Sequence, residues 1–430
     1  MMKEKFIKST FVLLIGGLIT KVLGLLIRII STRVLGLEAI SLYTLTLPAF
    51  NLFITIATLS IPVAISKIVA ENVRNNKKTI FSIIPVISIF NTILVIIIIL
   101  NASFISQTLL KNNELYYPII STAFTLIFIT ISSIVKGYFI GKEKMFPNVL
   151  SNIFEQIVRI ILIIFVIPKF LKYGTIFMVC MLILINIISE TSSILILLFF
   201  LPKKFRIKKE YFRYDHSLIK EIYKISLPTT TGRLISSFAF FLEPVIITSI
   251  LISLGYNTSY ITKEYGIICA YIFPMVSMPQ FLSNAISSAL LPVISKYNRL
   301  NLKKNILKKT YLATLLSLLI AIPFTLIFTI FPKTCLNTIF AINKGSNYLK
   351  LSALLFIISY IIPPLVSAIQ GIDKSKNIMY ANILNMIVKL ATLSILLILN
   401  FKMYSLIIST FIGYLTVIIY LFKTIKNYAK

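Results

Sequence analysis

"FFLEPVIITS", residues 240–249, sets a glutamate and a proline side by side inside a long apolar run. A carboxylate there is expensive, and a proline, having no amide hydrogen, breaks or bends a helix. What the pair means depends on the solvent around the run, and composition decides that. Of 430 residues, 58% are hydrophobic and only 13% are charged, the charges gathering in short islands between apolar stretches. Those stretches reach the ~20 residues that carry a helix across ~30 Å of hydrocarbon. A β-barrel would alternate apolar and polar residues in segments of about ten, and no such alternation is present. The chain reads as an all-α polytopic membrane protein.

About twelve spans are expected, among them 10–31, 41–66, 226–252 (the seventh), 266–295 (the eighth) and 378–400 (the eleventh). Lys3, Lys5 and Lys8 resemble the start of a signal peptide, but the apolar run behind them is too long and contains Lys21, so it is expected to stay as the first span. The formal charge of +30 comes from Lys/Arg islands that alternate with the spans rather than forming one patch. That pattern is the positive-inside signature of cytoplasmic loops, with both termini cytoplasmic, and not a nucleic-acid surface. The densest island, "KKFRIKKEYFRYDHSLIKEIYK" (203–224), is expected to be a basic cytoplasmic linker between two six-helix lobes, 1–202 and 225–430. Contact with anionic membrane lipids would follow from its charge.

The halves carry an internal repeat. "GKEKMFPNVLSNIFEQIVR" (141–159) falls on "GIDKSKNIMYANILNMIVK" (371–389), with Gly141, Lys144, Asn152, Ile153, Ile157 and Val158 meeting identical residues and Arg159 meeting Lys389. "IPVAISK" (61–67) similarly resembles "LPVISK" (291–296). Parallel repeats of this kind imply two bundles facing a central cavity, with substrate near the midplane.

Ionisable residues inside spans are costly and usually face a cavity or a partner. Here the bases are Lys21, Arg28, Lys136, Arg159, Arg233 and Lys389, and the acids are Glu155, Glu190 and Glu243. Lys21, Gly24 and Arg28 share one helical stripe, which Arg33 continues. Glu155 precedes Arg159 by one turn, the favourable order for a helix ion pair, and could form a self-neutralised clamp. Lys136 stands near a span end and is expected to snorkel to the cytoplasmic face. Setting aside Glu155 and Arg159, a surplus of bases remains: Lys21, Arg28, Arg233 and Lys389 against Glu190 and Glu243. Such a cavity suits a phosphate or pyrophosphate, which arginine grips with two parallel hydrogen bonds. Pro244 is expected to kink the seventh span, with Glu243 at the bend pairing a base such as Arg28.

Enzyme and metal readings have little support. Cys180, Cys269 and Cys335 are scattered, His216 is the only histidine, and no Walker A, GxSxG or HExxH motif occurs. No cofactor is expected.

Taken together, "LPAFNLFITIATLSIPVAISKIVAE" (47–71), "SSIVKGYFIGKEKMFPNVLSNIFEQIVRI" (132–160), "SLPTTTGRLISSFAFFLEP" (226–244) and "SSALLPVISK" (287–296) resemble the stage V sporulation protein B family. That family belongs to the multidrug/oligosaccharidyl-lipid/polysaccharide exporter (MOP) superfamily, with the MurJ-type lipid II flippases. The resemblance implies a MATE-like fold with spans 1, 2, 7 and 8 lining the cavity. It implies a flippase in the bacterial cytoplasmic membrane that moves a lipid-linked peptidoglycan or oligosaccharide precursor outward for the spore cortex, with cell-wall synthesis enzymes as partners. Rival readings are a cation-coupled multidrug antiporter of the same superfamily and a non-transporting scaffold. Two departures stand out. Relatives commonly have fourteen spans, the last two forming a groove for the lipid tail. Some relatives hold a cation between acids of spans 7 and 11, whereas span 11 here offers Asn382 and Asn385 and no acid.

Overall fold

The computed structural model describes residues 2–71, 76–201 and 216–429, with side chains described in 15–71, 81–201 and 216–429. Helices account for nearly all of these residues, and no strand occurs among them. By packing, the chain divides into two compact units, Met1–Phe241 and Leu242–Lys430. The first contains α1 (Met2–Thr58), α2 (Ile61–Glu71), α3 (Asn76–Ser103), α4 (Tyr116–Gly141), α5 (Met145–Phe165), α6 (Thr175–Phe199) and most of α7 (His216–Ser253). The second takes the end of α7 and α8 (Thr258–Gly266), α9 (Phe273–Ser277), α10 (Gln280–Arg299), α11 (Lys303–Ile330) and α12 (Pro332–Phe340). It closes with α13 (Ser346–Phe356), α14 (Ile362–Gly371), α15 (Ser375–Ile398) and α16 (Tyr404–Ala429). The linker expected at 203–224 lies outside the described residues as far as residue 215, and its remainder is the start of α7.

Among the described residues, ten helical elements are long and apolar enough to cross a membrane, or eleven when one bent pair is taken as a span. The first element, Ile15–Glu71, is 57 residues long. At ~1.5 Å per residue it would measure about 85 Å if straight, against ~30 Å of hydrocarbon. Too long for one pass, it is two helices joined at a kink between the expected spans 10–31 and 41–66. The break is at Gly36, whose φ of 73° and ψ of 177° are non-helical. Only glycine occupies that region readily. The expected single span 266–295 is also different: Thr258–Ser277 and Gln280–Arg299 meet at 48°.

The outer surface, unlike that of a water-soluble protein, is rich in apolar side chains. Ile89, Ile93, Ile97 and Leu100 of α3 point outward, as lipid-facing side chains do. Hydroxyls turn inward onto their own helices: buried Thr44 donates to the Ile40 carbonyl at 2.6 Å and buried Thr122 to that of Ile119 at 2.6 Å. Each unit has its own apolar core. Ile65, Ile83, Phe139 and Ile222 belong to the first, and Ile294, Leu365, Ile369 and Leu421 to the second.

The sequence repeat recurs as matching local structure. In the first unit a methyl on Gly137 would lie 2.7 Å from the Pro62 carbonyl oxygen, and one on Gly141 2.5 Å from that of Ser66. This glycine pair, four residues apart on α4, lets α2 approach closely, as small residues do between membrane helices. In the second unit Gly371 ends α14 and a methyl there would lie 2.7 Å from Ile294 of α10. The turns that follow are superimposable in their bonding. Lys144 N–H donates to the Phe139 carbonyl and Glu143 N–H to that of Ile140; Lys374 donates to Ile369 and Asp373 to Gln370 in the same way. Glu143 and Asp373 take the left-handed position of this Schellman turn, with φ of 55° and 60°. α5 and α15 then begin at matched positions, Met145 and Ser375.

Candidate functional site

Among the described residues, the buried charged side chains are three glutamates, Glu155, Glu190 and Glu243. Each has a base beside it. In the first unit α4, α5 and α6 build a four-charge cluster. Lys136 Nζ of α4 donates to Glu155 Oε2 at 2.9 Å and stands 3.8 Å from Glu190 Oε2. Arg159 Nη2, one turn along α5, donates to Glu155 Oε1 at 3.0 Å and to Ser189 Oγ of α6 at 3.3 Å. The expected Glu155–Arg159 pair therefore forms, and Lys136 completes it instead of snorkelling. Its side chain turns inward, where two carboxylates lie within reach. Glu190 Oε2 is buried without a hydrogen bond, so its attraction to Lys136 is electrostatic only. Two acids thus match two bases in number, the arrangement that lets buried charges compensate one another.

In the second unit the Glu243 carboxylate of α7 accepts from Lys389 Nζ of α15 in a salt bridge. Glu243 is 3% exposed. The expected pairing of Glu243 with an intramembrane base is thus made by Lys389, where the sequence suggested a base such as Arg28 and counted Lys389 among the surplus. Tyr265, Cys269 and Tyr414 lie within electrostatic range of the pair. Asn385, one turn before Lys389, has its Oδ1 buried without a hydrogen-bond donor. Gly413 of α16 leaves no room for a side chain against that same oxygen. Pro244 does not end α7, which runs continuously from His216 to Ser253 and leaves the Phe240 carbonyl without its usual donor.

The remaining sequence-selected bases are carried on α1 and α7. Lys21 and Arg33 are exposed and Arg28 is half-buried on α1; Arg233 is exposed on α7. Beyond the Gly36 break, Tyr43 lies in electrostatic range of both Arg28 and Arg159. The sequence did not single out that tyrosine, set Lys136 aside as a snorkelling residue, and noted Asn385 only as standing where some relatives have an acid. Only Lys136 left a signal there, as a lysine several residues inside a span and in reach of two intramembrane acids.

The chain matches the family described as "Polysaccharide biosynthesis protein" over residues 6–298. It is 27% identical over 409 residues to stage V sporulation protein B of Bacillus subtilis (strain 168), covering 92% of this chain and 78% of that protein. It is 24% identical over 470 residues to the lipid II flippase MurJ of the same organism, covering 100% of this chain and 84% of the other. Among solved structures, the inward closed conformation of lipid II flippase MurJ aligns with a TM-score of 0.72 at 17% identity, covering 96% of this chain and 87% of that one. An inward-facing MATE transporter of the MOP superfamily aligns with a TM-score of 0.71 at 16% identity, covering 95% and 96%. These likenesses show the fold. With the apolar helices described above, they mark a multi-pass protein of the cytoplasmic membrane that belongs to the polysaccharide biosynthesis protein family.

Proposed function

We propose that the chain is a flippase that moves an undecaprenyl-pyrophosphate-linked peptidoglycan or oligosaccharide precursor across the cytoplasmic membrane, in the service of spore cortex synthesis. At the coarser level it is a membrane transporter, as the lipid II flippase MurJ and the MATE transporter that it resembles are. The observation that carries the finer reading is the distribution of charge. The buried acids Glu155, Glu190 and Glu243 are each matched by a base within their own unit. Lys21, Arg28, Arg33 and Arg233 stay at exposed or half-buried positions on membrane helices. Guanidinium groups on such helices suit a pyrophosphate, whose oxygens accept two parallel hydrogen bonds from each fork. A transporter of organic cations would need the opposite balance.

In this scheme the two lobes, joined by the 203–224 linker, alternate in access. The bases hold the pyrophosphate while the sugars cross in water and the polyprenyl tail stays in lipid. Both termini lie in the cytoplasm, where the basic loops hold them. The deciding experiment is reconstitution into vesicles with a fluorescent lipid-linked precursor and a readout confined to one leaflet.

A further inference from the structure

The sequence repeat aligns Arg159 with Lys389 and Glu155 with Asn385. In the first unit the base is neutralised by the acid one turn earlier on its own helix, at 3.0 Å. In the second unit that acid is replaced by an asparagine, and the lysine reaches across to Glu243 on α7. The exchange has a consequence for ions. Glu243 is a buried carboxylate, and Asn385, one turn from the lysine that pairs with it, has a buried amide oxygen without a donor; both are hard oxygen acceptors of the kind that suit a small dissolved cation. Lys389 places an ammonium on that carboxylate, and its alkyl stem fixes the charge to α15. A dissolved cation entering there would put two positive charges on one buried carboxylate, which burial disfavours.

We propose that Lys389 is the chain's own counter-cation for Glu243, so that this site takes up no dissolved monovalent cation while the lysine is present. The ion pair ties α7 to α15 permanently, and the second unit moves without exchanging an ion at Glu243. This holds whichever substrate is carried, so its test reads binding and stability rather than flipping. The full chain in lipid nanodiscs is melted in sodium, lithium, potassium and choline chloride at equal ionic strength. The wild type is expected to unfold at one midpoint in all four. Lys389→Met keeps the stem and removes the charge. It should melt lower in choline and recover with a saturable dependence on sodium or lithium, and Glu243→Gln added to it should abolish that recovery. If Lys389→Met does not yield folded protein, Asn385→Asp replaces it. That substitution is nearly isosteric, adds the acid the first unit has, and should introduce the same saturable cation response. A saturable sodium or lithium stabilisation of the wild type, removed by Glu243→Gln, would overturn the proposal. So would a Lys389→Met protein that melts with the wild type in every salt.

Discussion

Glu155 holds two cations at once, Lys136 at 2.9 Å and Arg159 at 3.0 Å, and its side chain is only 8% exposed. Removing its charge leaves both bases without a compensating acid in a low-dielectric layer. Stranding a buried charge in this way typically costs about 3–5 kcal/mol. Glu155→Gln should therefore lower the thermal midpoint or the yield of folded protein sharply, whereas Glu190→Gln should do less, since Lys136 stands 3.8 Å from it and makes no hydrogen bond to its Oε2. Melting curves of the two variants in detergent check the order, and the reverse order would contradict it. The local half of this cluster was readable in the sequence, because Glu155 and Arg159 share a helix at a spacing that fixes their contact. The cross-helix half was not. Lys136, Glu243 and Lys389 find their partners through packing, and a span's sequence carries no direct record of which neighbour its polar residue faces.

At the scale of elements, Gly36 decides how α1 is used. Its φ of 73° with ψ of 177° excludes ordinary side chains, although nothing lies within 4 Å of where a Cβ would stand. Gly36→Ala should thus destabilise through backbone strain alone, by about 1–3 kcal/mol. Gly24, on the same helix with equally open surroundings and no left-handed φ, supplies the control. Gly24→Ala should leave the melting temperature unchanged or slightly raised. Equal effects of the two substitutions would remove the break from the account. The length of the apolar runs located the helices well, since bilayer thickness sets it. It did not locate their breaks. Gly36 looks like Gly24 in the sequence, and the π-helical turns Phe104–Leu109 and Ile267–Ile272 arise from register shifts that leave no compositional mark.

For the whole molecule, the repeat was the most legible feature, because Gly141 and Gly371 each have a close helix contact to permit and Glu143 and Asp373 each end a helix in the same turn. The orientation proposed from the basic loops is open to direct test. Single cysteines near Lys304 should be shielded from an impermeant thiol reagent in intact cells, while those near Asn257 and Asn343 should react; the converse pattern would invert the topology. The central claim is that a basic stripe carries a lipid-linked pyrophosphate across the membrane. It is tested most directly by the rate at which vesicles containing the full chain move a fluorescent lipid-linked precursor between leaflets. The wild type should accelerate transfer, and Arg28→Ala and Arg233→Ala should each slow it by about 10–100-fold at normal protein level, the loss of a hydrogen bond to a charged group. Transfer no faster than in empty vesicles, or wild-type rates in both alanine variants, would contradict the account.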